Sequence, residues 1–121
     1  MRRDPDLLLA ILERIEQESR GWMLDGAVFD DLAADDDVGY HLEQLEDAGF
    51  YEAGADLSIG EWKPGAPIRL THEGHEFLEA ARNPDVWEQA REAASEKSLD
   101  LTLEVLQSLL KSYAEKKLDL G

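Results

Sequence analysis

The spacing of apolar residues changes abruptly at Gly49, and this change leaves few folds open to the chain. Upstream, Val38, Leu42 and Leu45 repeat at intervals of three and four residues, which is the period of an amphipathic helix. Downstream, residues 50–70 alternate between apolar and polar positions and include several glycines and prolines. That pattern predicts a two-stranded hairpin with a long loop. A helix that runs directly into a hairpin is therefore the centre of the predicted fold.

Two further helical segments are predicted before this point. Asp4 and Pro5 are typical of a helix start, because aspartate caps free amides and proline is tolerated in the first turn. The apolar face of that helix comprises Leu7, Leu8, Ile11, Leu12 and Ile15. Gly21 is predicted to end it. A short helix around Phe29 then precedes the helix that Asp35 is predicted to cap, and so close a pair is typical of a helix-turn-helix.

Helical periodicity returns after the hairpin. Thr71 is predicted to cap one helix and Asn83 to start another, and a last helix is expected from Ser98. The last helix carries two apolar stripes, Leu99, Leu103, Leu106, Leu110 and Tyr113 on one and Leu101, Val105 and Leu109 on the other. So broad an apolar surface needs two neighbours, either within this chain or on a second copy. The expectation is a monomer or a homodimer formed through this helix.

The predicted fold class is mainly α with a small β-hairpin. Residues 1–82 are expected to form a winged helix-turn-helix, with the hairpin as the wing. Residues 83–121 are expected to add C-terminal helices that pack on it within a single compact domain, since 121 residues are typical of one domain. The chain has no cysteine, which suits a reducing compartment. Charged residues interrupt the apolar run near the start long before the ~20 residues that span a bilayer, so a cytoplasmic protein without a membrane contact is expected.

Three short motifs mark the predicted joints of the fold. The first is Arg2-Arg3-Asp4 before the leucine-rich helix. The second runs from Tyr40-His41-Leu42 to Ala48-Gly49, and the third is Leu70-Thr71, Gly74-His75 and Phe77-Leu78. Together they resemble the motifs of a family of small uncharacterised proteins from bacteria and their phages. The resemblance covers nearly the whole chain and departs from the pattern at His72, where an aromatic residue is expected. It implies a winged-helix fold and a bacterial or phage origin, and it implies no activity.

The helix in the DNA-reading position of this fold is acidic. Its outward positions on a helical wheel are Asp36, Tyr40, Glu43 and Asp47. Residues 21–62 as a whole contain twelve Asp and Glu residues and no Lys or Arg. A DNA-binding helix gains its affinity largely from cationic side chains that neutralise phosphates. Specific binding of nucleic acid through this helix is therefore disfavoured.

A row of carboxylates suits a site that normally holds phosphates, so the sequence favours a basic, nucleic-acid-binding protein or complex as the partner. In its most specific form the hypothesis is a phage-type DNA mimic that blocks a host enzyme or a defence complex, with anti-CRISPR activity as one example. The predicted contacts are Asp30, Asp31, Asp35, Asp36, Asp37, Tyr40, Glu43, Asp47 and Trp62.

Two other interpretations remain open. The net charge of −16 also suits a surface that keeps the protein soluble or adapts it to a salty habitat. The chain is alternatively a winged-helix transcriptional regulator that binds DNA, dimerised through residues 99–118. Two cationic residues at the hairpin, Lys63 and Arg69, are few for that role, because DNA-binding modules commonly make several phosphate contacts.

Aromatic and histidine residues give weaker signals. Trp62 lies near the tip of the predicted hairpin, and an exposed binding anchor and a ring folded back on the hairpin are equally open interpretations. His72 and His75 are three residues apart rather than four, and no third ligand is evident, so surface or cap positions are favoured over a metal site. His41 lies on the apolar side of its helix and is expected to be partly buried and hydrogen-bonded.

The sequence suggests no catalytic site. Adjacent carboxylates such as Asp30 and Asp31 serve acid/base catalysis only when burial shifts a pKa, and their surroundings are polar. The chain contains neither a glycine-rich phosphate loop nor a nucleophile elbow. The expectation is a binding protein, not an enzyme, that needs no cofactor and no metal.

Overall fold

Helices make up most of the described chain, and one antiparallel hairpin supplies its β-structure. The computed structural model describes residues 4–96, 106–112 and 115. The elements are, in order, α1 (Pro5–Glu18), a 3-10 helix (Gly26–Phe29), α2 (Asp35–Asp47), β1 (Tyr51–Asp56), β2 (Gly65–Leu70), α3 (His72–Ala81) and α4 (Pro84–Glu96). Residues 106–112 are also helical. The prediction of a mainly α fold with a small β-hairpin is confirmed.

The ends of α1 and α2 follow from local hydrogen bonds. The Asp4 carboxylate accepts from the Asp6 and Leu7 amides at 3.0 and 3.4 Å, as predicted for a cap. The helix ends at Glu18, three residues before Gly21, which adopts a φ of 89°.

Two paired bonds close α2 in a Schellman motif. The Phe50 amide donates to the Leu45 carbonyl at 3.0 Å, and the Gly49 amide donates to the Glu46 carbonyl at 2.9 Å. Gly49 has a φ of 76°, in the left-handed region that glycine tolerates. The predicted end of this helix is confirmed, and the Schellman turn sends the chain directly into the hairpin.

The chain divides into two compact units, Met1–His75 and Glu76–Gly121, and the boundary falls within α3. In the first unit, α1 packs against the 3-10 helix, α2 and β2. The large side chains in its core that are almost fully buried are Leu8, Ile11, Leu12, Ile15, Phe29, Leu42, Leu45 and Phe50. Burial of each such side chain contributes ~1.5–3 kcal/mol, so this cluster fixes the position of α2.

The hairpin of the first unit is bonded to the chain segment that precedes the 3-10 helix. β1 and β2 pair in antiparallel register, with Tyr51 opposite Leu70 and Glu52 opposite Arg69, and the pairing is irregular beyond this point. On the chain segment before the 3-10 helix, the Leu24 amide donates to the Pro67 carbonyl at 2.7 Å. This bond holds residues 22–24 beside β2.

The second unit has its own apolar centre. Asn83 caps α4 by accepting from the Asp85 and Val86 amides at 3.0 and 3.3 Å. The Phe77 and Trp87 rings meet edge to face, with 6.4 Å between their centroids. The other buried apolar residues here are Leu78, Ala81, Val86, Ala90, Leu106 and Leu110.

Only part of the predicted last helix lies within the described residues. Leu106 and Leu110 are buried, as their stripe predicts, and Leu109 is half-buried. The predicted start at Ser98, the stripe residues Leu99, Leu101, Leu103, Val105 and Tyr113, and most of residues 113–118 lie outside them. The expected boundary between residues 82 and 83 and the expected dimer stay predictions.

Candidate protein-binding surface

The first turn of α2 carries three consecutive aspartates, Asp35, Asp36 and Asp37. The prediction that Asp35 caps this helix is wrong, because the N-cap is Ala34 and no side chain caps the helix there. Asp35 instead stands at the first helical position. Negative charge in the first turn interacts favourably with the helix dipole, which compensates in part for the missing cap. The side chains of Asp35 and Asp37 are exposed.

The loop of the hairpin covers one side of the predicted outward face. The Glu61 amide donates to the Asp36 carboxylate at 2.8 Å. Gly39 lies beneath the same loop, and a Cβ at this position would be 2.6 Å from the Trp62 Cβ and 2.9 Å from the Ile59 carbonyl oxygen. The absence of a side chain at Gly39 thus lets the loop reach the helix, and Asp36 holds it there.

Trp62 folds back against α2. Its ring meets the Tyr40 ring edge to face, with 5.3 Å between centroids, and both side chains are half-buried. The sequence left open an exposed anchor and a ring folded back on its own hairpin; the structure instead shows the Trp62 ring half-buried against α2. Asp36 is hydrogen-bonded to the loop, and Tyr40 packs against the Trp62 ring. All three side chains are therefore only partly accessible to a partner.

Asp31 is engaged by a guanidinium from α1. The two Arg14 terminal nitrogens donate to the two carboxylate oxygens of Asp31 at 2.7 and 2.9 Å, and Arg14 also donates to the Val28 carbonyl at 2.5 Å. The hydrogen bonds from Arg14 lower the pKa of Asp31 from 3.8 to about 2. Asp31 therefore joins α1 to the turn after the 3-10 helix while its carboxylate stays largely exposed.

Glu46 has a structural role at the base of the hairpin. Its carboxylate accepts from the Gly65 amide at 2.5 Å, and the buried Tyr51 hydroxyl donates to the Gly65 carbonyl at 2.8 Å. Burial raises the pKa of Tyr51, and the adjacent Glu46 charge raises it further. Tyr51 is thus a neutral hydrogen-bonding group in the core and does not contribute charge to the surface.

The carboxylates in and beside α2 with no local partner among the described residues are Asp30, Asp35, Asp37, Glu43 and Asp47. We call these five the acidic surface. Glu43 is half-buried and the other four are exposed. Asp35 and Asp47 are ~18 Å apart along the helix axis, at 1.5 Å per residue. The acidic surface thus comprises five of the seven predicted acidic contacts, and the other two, Asp31 and Asp36, have structural roles.

Two features of the first unit differ from what the sequence led us to expect. Trp22 and Met23 are 65% and 50% exposed, which distinguishes them from the other large apolar residues in the described chain. They lie between two predicted elements and have no periodicity, so only the exposure identifies them. His41 is 1% exposed, more deeply buried than expected. Its Nε2 atom accepts from the Asp4 amide at 2.8 Å, and its Nδ1 atom lies 2.6 Å from the Asp37 carbonyl oxygen.

The two histidines of α3 were not favoured as metal ligands by the sequence. His72 and His75 are exposed, and His75 Nδ1 lies 3.7 Å from a Glu16 carboxylate oxygen. Across residues 4–96 and the helical segment near residue 110, no three His, Asp or Glu side chains are grouped as a metal site requires. Within the same residues, no helix combines the length and the apolar character needed to cross a membrane.

Comparisons with known proteins place the chain in a family. The family model described as Hypothetical protein (DUF2513) matches residues 2–100. A protein of Haemophilus influenzae, named Uncharacterized protein, is 35% identical over an alignment of 121 positions that covers 98% of this chain and 99% of that protein. No solved structure matches significantly. Because the family model and this relative both cover most of the chain, the protein belongs to the DUF2513 family of hypothetical proteins.

Proposed function

We propose that the protein binds a basic protein partner through its acidic surface. In the specific form of the proposal, the partner is a nucleic-acid-binding protein or complex, and the acidic surface occupies the site of the phosphates, as a DNA mimic does. The protein acts by occupancy, so the proposal requires no catalytic activity. The winged-helix interpretation of residues 1–82 belongs to the same proposal, with α2 in the position of the DNA-reading helix.

The main support for the proposal is that α2 has exposed carboxylates and no Lys or Arg. Four of the five members of the acidic surface are exposed, and residues 21–62 contain no Lys or Arg that would neutralise them. Glu43 and Asp47 are four residues apart and so share one face of the helix, and Asp37 adds negative charge in its first turn. A partner with complementary positive charge would be steered to this face before contact.

The same charges oppose the alternative of a DNA-binding regulator. Duplex DNA carries one negative charge per ~1.7 Å, and α2 offers no cation that would release its counterions. At the hairpin, Arg69 lies 3.3 Å from the Glu52 carboxylate, so this cation is already engaged. Lys63 alone supplies too little positive charge to hold a duplex.

Charge reversal on the acidic surface tests the proposal. The variant replaces Asp37, Glu43 and Asp47 by lysine and retains Asp36, because Asp36 holds the hairpin loop and its loss would confound charge with structure. The matched control replaces three exposed glutamates of α3 and α4, Glu73, Glu88 and Glu92, by lysine, which changes the net charge equally. Circular dichroism checks that both variants are folded.

The measurement is retention of host proteins on the immobilised chain, followed by elution with salt. We expect the wild type and the control to retain a basic protein at about 50 mM salt and release it near 500 mM, since screening shortens the range of charge interactions. The retained host protein is then purified and bound to labelled duplex DNA. Addition of the wild-type chain should displace this DNA. Equal retention by the triple variant would show that the contact lies elsewhere. A gel shift of random duplex by the wild type at low salt would favour the regulator instead.

A further inference from the structure

Two adjacent apolar side chains, Trp22 and Met23, lie at the surface beside the hairpin. Their exposed fractions of 65% and 50% are unusual for large apolar residues, of which most in the described part of the chain are buried. A contiguous exposed apolar group on a protein with so much charge is a signal of a contact surface. We call these two residues the anchor pair.

The anchor pair is held in place by hydrogen bonds to the hairpin. The Leu24 amide donates to the Pro67 carbonyl at 2.7 Å, which fixes the backbone immediately after Met23. The Met23 sulfur lies over Gly54, where a Cβ would collide with it, and accepts from the Ala55 amide at 3.2 Å. Met23 therefore rests on β1 through one side, while Trp22 next to it remains accessible on a positioned backbone.

The chain that carries the anchor pair is strongly acidic. Residues 21–62 contain twelve Asp and Glu residues and no Lys or Arg. Among these acidic residues, Asp25 lies two residues after Met23 and accepts from the Ala27 amide at 2.9 Å, and Asp56 directly follows Ala55; both are exposed. Arg20, two residues before Trp22, donates to the Gln17 and Ser19 carbonyls at 3.0 and 2.9 Å and keeps its charge. An exposed apolar pair within so acidic a stretch is complementary to a side chain that has an apolar stem and a cationic head.

We propose that the anchor pair binds an arginine or lysine side chain of the basic partner. The cation stacks on the face of the Trp22 indole, which is the strongest aromatic acceptor for such contacts. The methylene groups of the same side chain lie against Met23. Tryptophan is also enriched among the residues that dominate interface energies. This inference rests on the proposed function and names the partner's contacting group.

Binding of a fluorescently labelled nona-arginine peptide, followed by anisotropy at low salt, tests the inference. The variant is Trp22→Ala, which removes an exposed ring and leaves the Leu24 and Ala55 bonds intact. A second variant, Trp22→Phe, keeps a smaller aromatic face. The expected order of affinity is wild type, Trp22→Phe, Trp22→Ala, with a loss of about threefold to tenfold for alanine. The Asp37, Glu43 and Asp47 triple variant, measured in parallel, reports the contribution of the acidic surface.

The outcomes separate the two proposals. Weaker binding of Trp22→Ala, with the ring order above, supports the anchor. Unchanged binding of Trp22→Ala together with weakened binding of the triple variant overturns the anchor and leaves the proposed function standing. No binding of the peptide by the wild type overturns both. Binding of single-stranded oligothymidine that depends on Trp22 would assign the ring to base stacking, and a change in oligomeric state on Trp22→Ala would assign it to a second copy; either result overturns the inference.

Discussion

His41 shows how one buried polar residue fixes the start of two helices. Its Nε2 atom accepts from the Asp4 amide, so the proton must be on Nδ1, which donates to the Asp37 carbonyl. The ring therefore joins the cap of α1 to the first turn of α2, where the acidic surface begins. Both ring nitrogens are engaged and the residue is 1% exposed. His41 therefore helps to position the acidic surface and does not itself contact a partner.

Gly74 decides how closely α3 approaches the end of α2. The Thr71 hydroxyl donates to the Gly49 carbonyl at 2.6 Å and accepts from the Gly74 amide at 3.1 Å. A Cβ at Gly74 would collide with the Phe50 carbonyl oxygen, which is backbone and cannot move aside alone. The Leu-Thr-x-x-Gly pattern in the sequence is thus the place where the start of α3 packs against residues 49 and 50.

Gly74→Ala is expected to destabilise the protein by about 1–3 kcal/mol, because the added methyl overpacks this contact. Helix propensity alone predicts the opposite sign, a gain of up to about 1 kcal/mol. Urea unfolding followed by circular dichroism decides between them. Gly26→Ala is the matched control, since the nearest atoms to its Cβ would belong to the Ile59 and Leu57 side chains, at 3.3 Å and beyond, and not to backbone. Higher stability of Gly74→Ala would show that α3 packs less tightly here than the structure indicates.

Between elements, the contact of α1 with the turn after the 3-10 helix depends on charge. Arg14 reaches from α1 to both the Val28 carbonyl and the Asp31 carboxylate. The 3-10 helix has only four residues and makes few hydrogen bonds of its own, so this guanidinium holds the segment that leads into α2. Hydrogen bonding to Asp31 also raises the pKa of Arg14, so its charge persists at every relevant pH.

The link between Arg14 and Asp31 predicts a pH-dependent contribution to stability. Since the pKa of Asp31 is lowered to about 2, its contribution is fully present above the unfolded value of 3.8. It is lost as the pH falls from that value through about 2. The free-energy difference between the wild type and Asp31→Asn should therefore be constant near neutral pH and shrink between about pH 4 and pH 2.

Urea unfolding at several pH values measures this difference, and carbon NMR of the Asp31 carboxyl group gives its pKa directly. Asp30→Asn is the matched control, because Asp30 is the exposed neighbour that Arg14 does not contact in the described structure. A difference between wild type and Asp31→Asn that stays constant down to pH 2 would mean that the ion pair does not form in solution.

For the chain as a whole, self-repulsion is the dominant electrostatic effect. The net charge of −16 on 121 residues means that folding concentrates like charges, and α2 contributes several without a local cation. Surface ion pairs such as Arg82 with Glu79, at 3.0 Å, offset only a small part of this repulsion.

Added salt is therefore expected to stabilise the protein. Screening shortens the Debye length from ~30 Å at 0.01 M to ~10 Å at 0.1 M, and we expect the melting temperature to rise by about 4 °C or more over that range. Differential scanning calorimetry in sodium chloride measures the rise. A variant with Glu73, Glu88 and Glu92 replaced by glutamine carries less charge and should show a smaller rise. A melting temperature that falls with salt would mean that ion pairs outweigh repulsion.

The sequence by itself determined the order of the elements and much of the core. Apolar period, the Asp4 cap, the turn at Gly49 and the Thr71 cap are local signals, and local backbone chemistry decides them. The helical wheel also predicted that Asp36, Glu43 and Asp47 share one side of α2, because side-chain direction follows from the helix alone. The wheel did not predict the missing cap at Ala34, since helix starts vary by a residue or two.

Only the tertiary structure decided which of those carboxylates are available. Asp31 and Asp36 found partners in Arg14 and the Glu61 amide, which are 17 and 25 residues away in the chain. The loop reaches α2 because Gly39 has no side chain, and Trp62 is half-buried there while Trp22 stays exposed. Contacts between distant residues depend on how packed elements place them in space, and neither periodicity nor charge along the chain contains that information.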